Sequence, residues 1–423
     1  MSNGIAAFFG ILCFMILVRT LTPADFGSWI LYLTTATFFE SVRAGILHTP
    51  LVRFAAGEDE VQNMRVIGSS WGVGLLITLL FSMLILSLTP VFPDTWRILR
   101  WYPLLAFSTI PHNYALWILQ SRQRFGSMLV LRLGITGIFL IFLIAALYLK
   151  LSLVQIVIGH LCCNLVGSVL SMLCGWSHIG LITKMHRKTL SSLLHFGKYS
   201  MGTMLGSNLL RSSDTFIIGW LMGPVAVSMY SIPLKLAELV EIPLRSLVAT
   251  ALPRMSKLAL QGELEAVRRM YEKMAGIMSL AVVPLLMLLF IFAEQLVVFV
   301  GGEKYGEAAP ILRVFIAFMA LLPIDRYMGI TLDSLNKPKY NFYKVCLMVL
   351  ANCIGDIVVI QLSGSLQAVA AVTIFTFLTG IYVGRKIMYR ETGSRLRHVM
   401  RAGWGVLKDY RALSATSETS RAR

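Results

Sequence analysis

Residues 4–21 read Gly-Ile-Ala-Ala-Phe-Phe-Gly-Ile-Leu-Cys-Phe-Met-Ile-Leu-Val-Arg-Thr-Leu, an apolar run whose one charged residue is Arg19. As a helix, such a run is about 27 Å long, close to the hydrocarbon thickness of a bilayer, ~30 Å. Similar runs recur to the end of the chain, which is 57% hydrophobic and 14% charged, with a mean hydropathy of +0.73. Soluble domains contain about 25% charged residues. The composition therefore excludes a water-soluble enzyme, and the continuous runs predict an all-α polytopic membrane protein.

Charged residues and Pro/Gly breaks divide the chain into twelve predicted spans. Six spans on each side of a basic segment predict an N-terminal six-helix lobe over 1–182, a cytoplasmic linker over 183–198 and a C-terminal six-helix lobe over 199–388. A basic cytoplasmic tail follows over 389–423. The predicted spans are 4–21, 26–50, 66–89, 103–121, 127–149, 154–181, 199–221, 225–252, 274–300, 311–334, 343–362 and 366–388.

Lys and Arg are distributed unequally between the two sets of alternate loops. One set, including the tail, carries 26 basic residues, and the other carries five. Cytoplasmic loops of membrane proteins are enriched in Lys and Arg. We therefore expect a multi-pass membrane protein with both termini in the cytoplasm. Because the cations are spread over six loops, nucleic-acid binding is not expected.

The two halves also repeat each other weakly. Sliding the sequence by 201 residues gives seven identities across 31 positions, including infrequent span residues such as Pro, Glu and Arg. A duplication predicts two lobes related by a pseudo-twofold axis along the membrane normal, with a substrate path between them. The alternative is chance matching of apolar helices. The matched pairs are Pro23/Pro224, Leu33/Leu234, Ala36/Ala237, Glu40/Glu241, Thr49/Thr250, Leu51/Leu252 and Arg53/Arg254.

Charged residues inside the spans form stripes on spans 2, 7 and 8. A charge near the bilayer centre costs at least ~2.5–3.5 kcal/mol, so these residues need a wet cavity or each other. The stripes consist of Glu40 and Arg43 on span 2, of Ser200, Thr203, Ser207, Arg211 and Asp214 on span 7, and of Lys235, Glu238, Glu241 and Arg245 on span 8. The other charges inside spans are Arg132, Arg313, Arg326, Glu294, Asp325, Asp333 and Asp356.

Two interpretations of the stripes remain open. In the first, Arg43, Arg211, Lys235 and Arg245 bind an anionic headgroup in a polar cavity. The acids Glu40, Asp214, Glu238 and Glu241 then serve in coupling or in ion pairs. In the second, neighbouring charges neutralise one another and tie helices together.

No pattern in the sequence indicates catalysis, a cofactor or a metal ion. The six cysteines lie inside apolar runs without a CxxC spacing, and the seven histidines form no HExxH motif. We therefore expect a protein without catalytic residues, metal ligands or cofactor.

Three motifs carry a resemblance to a known family. Residues 17–27, Leu-Val-Arg-Thr-Leu-Thr-Pro-Ala-Asp-Phe-Gly, resemble the signature that ends span 1 of polysaccharide transporters. Phe196-Gly-Lys-Tyr-Ser200 is similar to the mid-chain restart of that family, and the turn from Gly302 to Tyr305 is similar to its outer Gly-x-x-Tyr turn. The chain thus resembles the O-antigen and exopolysaccharide flippases of the multidrug/oligosaccharidyl-lipid/polysaccharide flippase superfamily.

The resemblance implies a function and a site. It implies a flippase of the bacterial cytoplasmic (inner) membrane that moves undecaprenyl-pyrophosphate-linked oligosaccharide from the cytoplasmic to the outer leaflet for surface polysaccharide biosynthesis. It implies that spans 1, 2, 7 and 8 line a cationic cavity. The expected partners are the lipid-linked substrate, membrane lipids, a polysaccharide polymerase and glycosyltransferases.

Two rival functions stay open. A cation-coupled drug antiporter of the same superfamily would need a cavity dominated by acids, whereas the stripes balance four acids against four bases. A membrane-embedded glycosyl polymerase or ligase would need a large outer loop, and the longest predicted outer loop covers only residues 90–102.

The basic tail is predicted to form an interfacial amphipathic helix. Its apolar stripe consists of Leu396, Val399, Met400, Trp404 and Leu407, flanked by Arg395, Arg397, Arg401 and Lys408. Basic amphipathic helices bind anionic lipid surfaces.

Overall fold

The computed structural model of the chain describes residues 2–54, 60–91 and 94–405. Within these ranges the regular structure is helical, without a strand, and fourteen α-helices precede a further helix at 396–405. The helices are α1 Ser2–Thr20, α2 Pro23–Phe54, α3 Glu60–Leu88, α4 Tyr102–Ser121, α5 Phe125–Leu149, α6 Leu153–Leu173, α7 Arg187–Leu221, α8 Pro224–Leu260, α9 Leu264–Ile291, α10 Ala293–Gly301, α11 Ala309–Met319, α12 Leu322–Ser334, α13 Pro338–Ser363 and α14 Leu366–Thr392.

Each of the twelve predicted spans coincides with a helix or a broken helix. Six helices (α3, α5, α6, α9, α13 and α14) are long and apolar enough by themselves to cross a membrane. Span 10 is divided into α11 and α12, which meet at an angle of 42°, and span 9 is divided into α9 and α10. The prediction of an all-α polytopic membrane protein is confirmed.

The motif at residues 20–27 explains how α2 begins. Thr22 Oγ1 accepts a hydrogen bond from the Asp25 backbone N–H at 3.2 Å and donates one to the Asp25 carboxylate at 2.8 Å. Pro23 is the first helical residue, where its missing N–H costs nothing. A side chain at Gly27 would collide with the backbone of Pro224, which begins α8. The two prolines aligned by the repeat thus both occupy the first position of a helix.

The chain divides into two compact units, Met1–Ser228 and Met229–Arg423. In the first unit α7 packs along α2, α4 packs on α6, and α1 packs on α5. Trp71 and Tyr114 stack with ring centroids 4.4 Å apart in its core. The Trp71 indole N–H donates to the Ser177 carbonyl at 3.0 Å. The first unit also includes α7, which packs along much of α2.

In the second unit α13 and α14 form an antiparallel hairpin, and α14 also packs on α11 and α12. Small residues let these helices approach closely, since a Cβ at Gly380 or Gly384 would meet the sulfur of Met348 or Met328. The turn before α11 begins at Gly302, whose φ of +86° favours glycine. Tyr305 in the same turn is fully buried.

A last helix covers residues 396–405, three residues after α14 ends. This region agrees with the predicted tail helix as far as residue 405. Leu407 and Lys408, the last residues of the predicted amphipathic pattern, lie outside the described residues.

Candidate functional site

Glu40 and Arg43 lie one turn apart on α2 and form an ion pair. Arg43 Nη1 also donates a hydrogen bond to Thr78 Oγ1 of α3 at 2.9 Å. The Arg43 side chain is 3% exposed, whereas the Glu40 side chain is 32% exposed. The guanidinium is thus enclosed between α2 and α3, and the carboxylate is the more open partner.

A cavity of about 350 Å³ lies beside this pair inside the first unit. It is lined from α2, α3, α4 and α6, and its wall combines aromatic rings with several polar groups. His112 Nδ1 lies 3.1 Å from Ser168 Oγ, and the Asn164 amide donates to the His160 carbonyl at 2.8 Å. The polar lining residues are Thr37, Glu40, Ser41, Arg43, Thr78, Tyr102, Thr109, His112, Asn113, His160 and Asn164.

The polar stripe of span 7 follows α7. Arg211 is exposed, whereas Asp214, one turn further on, is 7% exposed. Ser213 Oγ lies 3.5 Å from Asp214 Oδ1. Ser207 is exposed, and the side chains of Ser200 and Thr203 lie outside the described residues.

The stripe of span 8 forms two clusters on α8. Lys235 donates to Glu238 at 2.9 Å, and both side chains are about one third exposed. Glu241, near the middle of α8, accepts a hydrogen bond from Arg245 at 2.5 Å through one carboxylate oxygen. Its other oxygen binds Arg326 of α12. We call Glu241, Arg245 and Arg326 the arginine cluster.

The arginine cluster buries its acid and exposes its bases. The Glu241 side chain is 11% exposed, whereas those of Arg245 and Arg326 are 42% and 36% exposed. The three side chains together carry a formal charge of +1. The cluster can therefore offer guanidinium N–H groups to an anion while Glu241 holds both side chains in position.

Arg326 is one of the charged residues inside the predicted spans, but it is not among the predicted site residues. Those residues form stripes along single helices, and Arg326 lies 85 residues from Glu241 in sequence. Its signal was the Pro-Ile-Asp-Arg segment at 323–326, where α12 begins after the bend.

Two other polar clusters are buried in the second unit. Lys344 donates to Asp325 at 2.6 Å, with side chains 2% and 9% exposed. Lys344 was counted among loop cations, but it lies inside α13. Asn352 donates to Asp356 at 3.0 Å and accepts from Thr376 of α14 at 2.9 Å. These contacts tie α13 to α12 and to α14.

Groups of three or more His, Cys, Asp or Glu residues placed to hold a metal ion do not occur in the described part of the chain. Its free cysteines are Cys13, Cys162, Cys163, Cys174, Cys346 and Cys353.

Comparisons with known proteins agree with this architecture. "Probable low-salt glycan biosynthesis flippase Agl15" of Haloferax volcanii is 22% identical over 239 residues, which are 54% of this chain and 50% of that protein. The match thus spans about half the length of that curated relative.

Two solved structures share the fold. An inward-facing multidrug resistance MATE family transporter of the MOP superfamily superposes with a TM-score of 0.75 at 15% identity, covering 92% of this chain and 96% of the other. Lipid II flippase MurJ in an inward closed conformation superposes with a TM-score of 0.74 at 12% identity, covering 98% and 92%.

The sequence profile of a family described as "Polysaccharide biosynthesis protein" matches residues 16–310. This match includes all three motifs on which the resemblance rests, and it covers α2, α7 and α8 with their charged stripes. The resemblance drawn from those motifs is confirmed. The chain is a multi-pass membrane protein that belongs to this polysaccharide biosynthesis family and has the fold of the MATE and MurJ transporters.

Proposed function

We propose that this protein translocates undecaprenyl-pyrophosphate-linked oligosaccharide from the cytoplasmic to the outer leaflet of the bacterial cytoplasmic membrane. The observation that carries the proposal is the arginine cluster, in which two guanidinium groups stay more than one third exposed on membrane helices. The planar guanidinium fork forms two charge-assisted hydrogen bonds with phosphate oxygens. A pyrophosphate is thus the ligand chemistry that two neighbouring arginines suit.

The position of the arginine cluster supports the same proposal. Charged groups inside membrane helices are costly and mark substrate or ion pathways. Arg245 and Arg326 share one carboxylate, so an anion that approaches them meets a net positive charge. Lys235, which is one third exposed on α8, is proposed to contact the same headgroup. Arg211, which is exposed on α7, is proposed as a further substrate-binding residue.

Arg43 is proposed to act in a different way. Its side chain is enclosed and already binds Glu40 and Thr78. It would bind a headgroup only after these contacts open. Arg43 forms an ion pair with Glu40, whose carboxylate lines the cavity of the first unit. We therefore propose Glu40 as the coupling residue.

The proposed reaction breaks no covalent bond. The oligosaccharide and pyrophosphate would cross through polar surroundings while the prenyl chain stays in lipid. The proposed partners remain a polymerase on the outer face and glycosyltransferases on the cytoplasmic face, because these must consume and supply the lipid-linked glycan.

Deletion of the gene tests the proposal directly. We expect the deletion strain to accumulate prenyl-linked oligosaccharide on the cytoplasmic side and to lose surface polysaccharide. Complementation with Arg326→Gln should restore little export at normal protein abundance. Arg268→Gln is the matched control, because Arg268 also pairs with a glutamate, Glu265, but lies at the start of α9. Equal export by both variants would argue against the arginine cluster as the headgroup site.

The antiporter alternative predicts a different phenotype. Loss of a drug antiporter would raise drug sensitivity and leave the lipid-linked oligosaccharides unchanged. Drug sensitivity without any change in extracted glycolipid would replace the proposed function with this alternative.

Reporter fusions test the proposed orientation. A reporter fused after Arg390 should be active in the cytoplasm, and one placed within residues 90–102 should be active outside it. An externally active fusion after Arg390 would overturn the orientation.

A further inference from the structure

The helix at 396–405 is docked against α9 by a close backbone contact. A Cβ added to Gly403 would lie 2.8 Å from the Gly276 Cα, so neither glycine can carry a side chain without moving the helices apart. Val399, one turn earlier, is completely buried in the same contact. Val399 and Gly403 therefore define the face of this helix that α9 covers.

A second contact fixes the helix at its beginning. Ser394 Oγ donates a hydrogen bond to Glu272 Oε1 of α9 at 2.7 Å, and His398 Nδ1 lies 3.4 Å from the same oxygen. The glycine contact and the Glu272 contact together set the rotation of the helix about its own axis. The opposite face of the helix therefore points away from α9.

The uncovered face combines apolar and basic side chains. Met400 is 47% exposed and Trp404 is 54% exposed. Arg397 and Arg401 are exposed beside them. At 100° per residue, all four lie within an arc of about 100°. We call these four residues the Arg397–Trp404 face.

The place of this face in the chain limits what can cover it. The helix begins three residues after α14, an apolar spanning helix, so it lies at a membrane surface. Tryptophan and arginine at a bilayer surface place their apolar parts among the lipid chains and their polar ends among headgroups. A second copy of this chain would bring four arginines together, and their like charges disfavour that contact.

We propose that the Arg397–Trp404 face binds anionic phospholipid headgroups of the leaflet at which α14 ends. Arg397 and Arg401 contact the phosphates, and Met400 and Trp404 enter the interfacial region. Because the same helix is held by Glu272 and Gly276, this site links the lipid composition of that leaflet to the position of α9. The proposal does not depend on which substrate the protein translocates.

Hydrogen exchange of the full-length protein in nanodiscs with one chain each tests this site. The discs contain either phosphatidylcholine alone or phosphatidylcholine mixed with phosphatidylglycerol. Each arginine near an anionic surface strengthens binding about fivefold. We therefore expect amides of 396–405 to exchange at least fivefold more slowly in the phosphatidylglycerol discs. In the variant Arg397→Gln/Arg401→Gln, the two lipids should give the same rates.

A matched variant separates this site from a general effect of charge. Arg269→Gln/Lys273→Gln removes two exposed cations with the same spacing from α9 itself. This variant should keep the lipid-dependent protection of 396–405. Equal rates in the two kinds of disc for the unmodified protein would overturn the proposal. Equal loss of protection in both double variants, or protection that requires two chains per disc, would also overturn it.

Discussion

The glutamates Glu40 and Glu241 occupy equivalent positions in the two halves of the sequence, yet their surroundings are reversed. In the first unit the arginine of the pair is enclosed, with Arg43 3% exposed, and Glu40 is 32% exposed. In the second unit the acid is enclosed, with Glu241 11% exposed, and Arg245 is 42% exposed. A similar Glu–Arg pair thus offers a carboxylate in one unit and a guanidinium in the other.

The neighbouring helices explain this reversal. In the first unit Thr78 of α3 accepts a hydrogen bond from Arg43 and holds its guanidinium inside. In the second unit Arg326 of α12 donates a hydrogen bond to the Glu241 oxygen that Arg245 does not contact, and this bond holds the carboxylate in its buried position. The comparison shows that two Glu–Arg pairs can acquire opposite polarity through one additional contact each. The following experiments test this difference, beginning with the largest expected effect.

Arg43→Met should destabilise the protein more than Arg245→Met does. Removal of the buried Arg43 takes the cation from Glu40 and the hydrogen bond from Thr78, and leaving such polar groups without partners costs about 1–3 kcal/mol. Arg245 is more exposed, and Arg326 remains bound to Glu241 after its removal. Thermal unfolding in detergent and protein abundance in membranes provide the measurements. Equal stability of the two variants would show that the buried Arg43 does not contribute more to stability than the exposed Arg245.

Loss of Arg326 should reduce export in graded steps. A hydrogen bond to a charged group contributes roughly 1.5–3 kcal/mol, so Arg326→Gln should lower export about tenfold or more at unchanged abundance. Arg326→Lys should retain part of the activity because it keeps the charge but loses the fork. The double variant Arg245→Gln/Arg326→Gln should export less polysaccharide than either single variant. Surface polysaccharide normalised to protein level is the readout, and full export by the double variant would contradict the role of the cluster.

Arg211 tests whether the exposed arginine on α7 binds the substrate. If Arg211 contacts pyrophosphate, Arg211→Ala should abolish export at near-normal abundance and Arg211→Lys should be partly active. If it acts only as a partner of Asp214, the single variant should lose abundance. Arg211→Ala/Asp214→Ala would then recover both abundance and export. Full recovery in the double variant would make Arg211 a structural residue.

Lys235→Gln should have the smallest effect. Lys235 and Glu238 are both about one third exposed, and exposed pairs contribute only about 0.2–1 kcal/mol. We expect unchanged abundance and a reduction of export of about twofold. A loss of export as large as that of Arg326→Gln would extend the headgroup site from the middle of α8 toward its beginning.

Most of the helices could be predicted from the sequence, because each span is a long apolar run with a clear break on either side. The pair Glu40/Arg43 could also be predicted, since residues three or four apart share a helix face. The surroundings of the two Glu–Arg pairs could not be predicted. Arg43 is held by Thr78, 35 residues away, and Glu241 is held by Arg326, 85 residues away. Such contacts arise from packing between helices, which a pattern along one helix does not contain.

The packing partner of α7 could not be predicted either. The basic segment at 183–198 predicts a linker before span 7, because loops rich in Lys and Arg interrupt the apolar runs, and these domain bounds stay a prediction. The first compact unit includes α7 and extends to Ser228, since α7 packs along α2. Small residues such as Gly45, whose Cβ would meet the Met201 backbone at 3.0 Å, permit that packing. One glycine in an apolar helix does not indicate which helix it will contact.

The buried pair of Lys344 and Asp325 has a consequence for the biogenesis of the protein. A charged side chain inside a membrane-spanning helix carries a free-energy cost that is largest near the bilayer centre. α12 carries Asp325 and α13 carries Lys344, and the two charges meet at 2.6 Å in the folded protein. Neither helix would enter lipid easily by itself, but together they present a neutral pair. α12 and α13 are therefore expected to leave the translocon as a hairpin, with the salt bridge already formed during synthesis.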